Sequence, residues 1–98
     1  MGSSIKSALF LAESRMEDAA RGDGNALYDL GICYQTGTAG VAIDLIEAHK
    51  WFNLAAVAGL EEAQDARSAV ASELTAREIS RAQAAARAWL GSMQQRPA

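Results

Sequence analysis

Two glycine–alanine pairs constrain this chain more than any other feature. Gly22 stands four residues before Ala26, Gly59 stands four before Ala63, and the two pairs lie 37 positions apart. A period in this range marks stacked helix pairs, in which each unit buries its apolar face against the next. The first period carries the matching pattern: Ala26, Leu27, Leu30, Gly31 and Tyr34 recur at spacings of three and four, as one stripe of a helix requires. Asp23 precedes that stripe as an N-cap, and the helix is expected to end near Gln35.

The rest of the chain reads the same way. Ser3 or Ser4 can cap a leading helix running to about Arg21, with Ile5, Ala8, Leu9, Ala12, Met16 and Ala19 on one stripe. The segment Thr36 to Val41 has two glycines and no helical period, so a reversing loop is expected there. Asp44 then restarts the chain as a cap, and Glu47 three residues on can reach back to complete a capping box for a helix from Leu45 to Ala58. Gly59 ends that helix, and Leu60-Glu61-Glu62-Ala63 opens a fourth with acidic residues suited to a helix N-terminus; Ala63, Ala66, Val70 and Leu74 form its stripe. Thr75 and Glu78 make a second capping box, and Ile79, Ala82, Ala86, Trp89 and Met93 line one side of a fifth helix. Five helices and no strand are expected. Residues 94–98 should form a frayed tail.

At 98 residues the chain makes one domain with a thin core. Plentiful alanine and few aromatics favour helices packed closely together. The net charge is −3, and the 9 basic residues form no cluster, so nucleic acid and anionic membrane are poor partners. No apolar run exceeds the length of Ala8 to Ala12, far short of a membrane span. Cys33 stands alone, so no intramolecular disulfide can form; a cytoplasmic location agrees with this.

Between residues 26 and 63 the sequence is specific enough to resemble a family. Ala26, Leu30-Gly31, Tyr34, Gly37, Gly40-Val41, Asp44, Ala48, Trp51-Phe52, Ala55-Ala56, Gly59 and Ala63 resemble the Sel-one-like repeat, a relative of the tetratricopeptide repeat. Two departures stand out. Thr38 and Ala39 put one residue more than the family's usual one between the glycines, and in the second copy Arg67-Ser68 replace Leu30-Gly31 with no further Tyr or Trp-Phe pair. The resemblance implies an all-α, helical-hairpin repeat: a short solenoid with a leading helix (residues 1–21), one full repeat (22–60), a degenerate second hairpin (61–93) and the tail.

The motif describes packing. Gly31 lets a neighbouring helix approach, Ala48, Ala55 and Ala56 give that helix an equally thin face, and Tyr34, Trp51 and Phe52 fill the remaining space. Gly37 and Gly40 suit backbone angles closed to other residues.

Catalytic chemistry is not expected. His49, the one histidine, has only Asn53 sharing its face and reads as a solvated surface residue. Cys33 has no basic neighbour in sequence and reads as a small buried hydrophobe. The carboxylates of Glu17-Asp18 and Glu61-Glu62 point about a hundred degrees apart on a helix, so neither pair converges on a substrate. No metal site and no cofactor are expected.

What the resemblance implies instead is a surface that binds a protein or peptide on the concave side, where the first helix of each hairpin faces outward. On this chain those positions are Asn25, Tyr28, Asp29, Ile32 and Gln35, continued by Glu62, Asp65, Ala69 and Ser72 of the next hairpin. Tyr28 would be the anchor, and the acidic residues favour a partner segment with Lys or Arg beside an apolar side chain. The alternatives are a self-associating module, since arrays of about three or more repeats are usual, and a small regulatory subunit of an enzyme.

Overall fold

The computed structural model describes residues 14–94, and they form five helices and no strand. The expected stripe at Ile5, Ala8, Leu9 and Ala12 and residues 95–98 of the expected tail lie outside the described residues, while Gln94, placed in that tail, is the last residue of the final helix. The first helix, α1, is seen over residues 14–20; α2 is Gly24–Thr36, α3 Leu45–Val57, α4 Glu62–Ala71 and α5 Ala76–Gln94.

Helix ends follow local chemistry. The Asp23 carboxylate accepts from the backbone N–H groups of Asn25 and Ala26 and opens α2. Thr75 and Glu78 close the capping box of α5 in both directions: the Thr75 N–H donates to Glu78 Oε1 at 2.9 Å, and the Glu78 N–H donates to Thr75 Oγ1 at 3.1 Å. At α3 only half of the expected box forms. Asp44 Oδ1 accepts from the Glu47 N–H at 3.1 Å, but the Glu47 carboxylate turns away to the Trp51 indole N–H at 3.1 Å and the Lys50 ammonium at 2.9 Å. The N–H that Glu47 would have capped, that of Asp44, is already given to the Tyr34 carbonyl, which leaves the carboxylate to a charged donor and a buried indole N–H.

The repeat is visible in the turns. After α1 the Gly22 N–H donates to the Ala19 carbonyl and the Asp23 N–H to that of Asp18; one period later the Gly59 N–H donates to Ala56 and the Leu60 N–H to Ala55. This paired closure needs a left-handed residue after the helix, and Gly22 and Gly59 supply it with φ of 82° and 103°. Ala26 and Ala63, the alanines that follow, are both buried. The equivalence stops at Gly31 and Ser68: Gly31 is buried and Ser68 is exposed.

The helices α2, α4 and α5 all pack on α3, whereas α4 and α5 scarcely touch each other. The second hairpin is thus splayed, each arm leaning on α3. Trp51, Phe52, Leu54, Ala48 and Ala55 of α3 are almost wholly buried, and burying each of the larger side chains stabilises by about 1.5–3 kcal/mol. Trp51 meets Trp89 of α5 edge to face, with centroids 4.8 Å apart, and so ties α5 to the centre. In the loop between α2 and α3, the Asp44 N–H donates to the Tyr34 carbonyl at 2.9 Å. The extra residue there, Ala39, has a φ of 57°, a left-handed conformation that costs alanine energy.

Candidate partner-binding surface

The helices α2 and α4 both pack on α3 and scarcely touch each other. Tyr28 and Ile32 from α2 pack together with Val70 and Ala66 of α4 around Ala48 and Phe52. Their solvent sides make the surface expected from the sequence, in altered form. Asn25, Asp29, Glu62 and Asp65 are exposed, as are Ala69 and Ser72, while Tyr28, Ile32 and Gln35 are half-buried.

Tyr28 keeps only part of its ring outward. Its ring lies against Phe52 with centroids 5.4 Å apart and planes tilted by 47°. The same Phe52 ring also covers Gly31, three residues further along α2. Asp29 turns the other way, and its carboxylate lies 4.0 Å from Arg15 Nε of α1. Tyr28 and Ile32 thus stay partly exposed on α2 beside an exposed Asp29, and Glu62 and Asp65 are exposed in the first turn of α4.

Cys33 is buried as expected, but a basic group does reach it: Arg15 Nη1 donates to its sulfur at 3.4 Å. Sequence spacing hides this contact because the two residues sit on different helices. Tyr34 is half-buried, and burial, reinforced by the Glu47, Asp44 and Cys33 charges, raises its phenol above the usual value.

His49 corrects the sequence reading outright. It is 3% exposed, not solvated, and its Nδ1 has no hydrogen-bond partner. Burial, and next the charge of Arg67 on α4, lower its affinity for a proton. Arg67 itself donates to Asn53 Oδ1 of α3. Burial of His49 follows from α4 packing over α3, which spacing within α3 cannot report.

A cleft of about 330 Å³ opens elsewhere, where the last turns of α1, α3 and α5 converge; its walls include Ala19, Leu54, Val57, Trp89, Leu90 and Met93. Val57 and Leu90 remain exposed on it. The sequence reading placed Trp89 and Met93 on the stripe of α5 and missed the other two, because they lie off the stripes of their helices. Of the carboxylate pairs, Asp18 is engaged by Arg21 at 3.2 Å, while Glu61 and Glu62 are solvated. No group of three His, Cys, Asp or Glu side chains placed to hold a metal ion occurs among the described residues. No helix among them is long and apolar enough to cross a membrane.

No family model matches the chain, and neither the curated proteins nor the solved structures compared with it contain a match.

Proposed function

We propose that this chain is a non-catalytic interaction module of the Sel-one-like repeat type, an adaptor or regulator that binds a partner protein or peptide across α2 and α4. One observation carries the reading: two helices rest on a common third, one with the half-buried apolar residues Tyr28 and Ile32 beside an exposed Asp29, the other with Glu62 and Asp65 exposed in its first turn. Apolar contact at the centre with charge at the rim is the arrangement of a protein-recognition patch. The partner that fits is a segment with an apolar side chain flanked by Lys or Arg. Because Tyr28 is already seated on Phe52, it is held in one place before binding, which lowers the entropy lost on association. A cytoplasmic location goes with this reading, the single cysteine being a buried thiol.

The test begins with affinity purification from the native host, followed by titration of the recovered partner. Glu62→Gln with Asp65→Asn changes only exposed groups and should weaken binding several-fold, chiefly through a slower and less salt-sensitive association. Tyr28→Ala should cost about 2 kcal/mol of affinity or more, provided that its circular dichroism stays helical. Unchanged affinity in both variants would remove this face from consideration.

A further inference from the structure

His49 is placed where a charge is disfavoured. It lies on α3, it is 3% exposed, and Nδ1 has no partner. Among the described residues the one charge that bears on it is the guanidinium of Arg67, from α4; no carboxylate of the described parts of α1, α2 or α5 acts to offset a proton there. Asn53, one turn along α3, holds Arg67 in place by accepting from it, so the guanidinium stays beside the imidazole. A protonated ring in this position would be a desolvated cation facing a second cation.

The element on the other side is the least firmly held. The helix α4 is the shortest of the four with both ends inside the described residues, with Ala63 and Val70 as its only buried residues. No side chain caps its N-terminus. Among α2, α3 and α5, only α3 packs on it extensively. Local opening selects such elements, since few buried contacts must be given up.

We propose that the seam between α3 and α4 is an acid-sensitive latch: a proton taken up by His49 sets two cations against each other inside it, and α4 is released from α3 while α2 and α3 stay packed. The sign follows from burial. The closed state binds the proton less well than an open one, whose imidazole has the ordinary value of 6.5, so the seam is at full strength above that pH and weakens as pH falls through it. Release would carry Glu62 and Asp65 away from Tyr28 and Ile32, so a partner seated across both helices would dissociate in mild acid. That last consequence alone rests on the reading of the α2 and α4 face as the binding surface.

The experiment is amide hydrogen exchange by NMR on the intact chain at pH 7.5 and 5.5, with rates divided by intrinsic rates to give protection factors, and with the His49 ring titrated in the same spectra. Expected is a several-fold drop in the protection of α4, below the roughly tenfold ceiling that one group with an ordinary value of 6.5 can produce at pH 5.5, with α2 unchanged. In His49→Gln the drop should vanish. Arg67→Glu, which supplies a counter-charge, should reverse it and make α4 better protected in acid. Protection of α4 that stays flat while the His49 ring titrates would overturn the latch, as would an equal loss in all helices. If α4 opens as described and the partner's affinity does not change with pH, the latch stands and the binding-face assignment fails.

Discussion

The ring of Phe52 lies directly on Gly31. A Cβ built there would come 2.5 Å from Cδ1 and 3.0 Å from Cγ of a side chain that is itself fully buried and has nowhere to go. Gly31→Ala should therefore destabilise by about 1–3 kcal/mol and Gly31→Leu by more. At roughly 4–8 °C per kcal/mol for a domain of this size, the alanine variant alone should show a clear fall in Tm. Combining Gly31→Ala with Phe52→Leu should cost less than the sum of the two changes. Additive costs, or an unaltered Tm for Gly31→Ala, would mean that the two residues do not meet.

Ala39 offers the opposite kind of test. Its φ of 57° is strained for alanine and easy for glycine. The variant Ala39→Gly relieves the strain but frees the unfolded chain, and the net should be a gain of about 0.5–1 kcal/mol. Urea denaturation would read this as a higher midpoint with an unchanged slope.

Glu47 holds a buried donor. Replacing it by alanine strands the indole N–H of Trp51, which is 2% exposed, and removes the Lys50 contact. The expected cost is about 1–3 kcal/mol. Glu47→Gln keeps an acceptor and should lose much less. Equal losses in thermal melts of the two would show that the charge, and not the hydrogen bond, matters.

Thr75→Ala should cost about 1 kcal/mol by opening the capping box of α5. Glu78→Ala in the same background should then add little, because the two bonds act as one unit. A chemical-denaturation cycle over the four proteins measures this coupling.

Local features of the fold were legible, and the non-local ones were not. Asp23, Asp44, Thr75, Gly22 and Gly59 act within a few residues of themselves, so their types and spacings announced the helix ends. Gly31 was legible for a related reason: a glycine on an apolar stripe implies that something comes close. His49 was misread because what buries it is a different helix, and its flanking residue Lys50 gives the segment a polar look. Arg15 beside Cys33 joins residues on two helices, and no period connects them. The contact of the Tyr28 ring with Phe52 was likewise not legible, because it joins α2 to α3.

The central position of α3 also bears on the order in which the chain can assemble during synthesis. The apolar residues Ala26, Leu27 and Leu30 of α2 find most of their cover on α3, so as the chain emerges N-terminus first they stay wet until Val57 has been made. The hairpin of α2 and α3 then closes over a short stretch of sequence, which is a rapid step. From that moment α4 and α5 are added to a surface that already exists, and neither has to wait for the other.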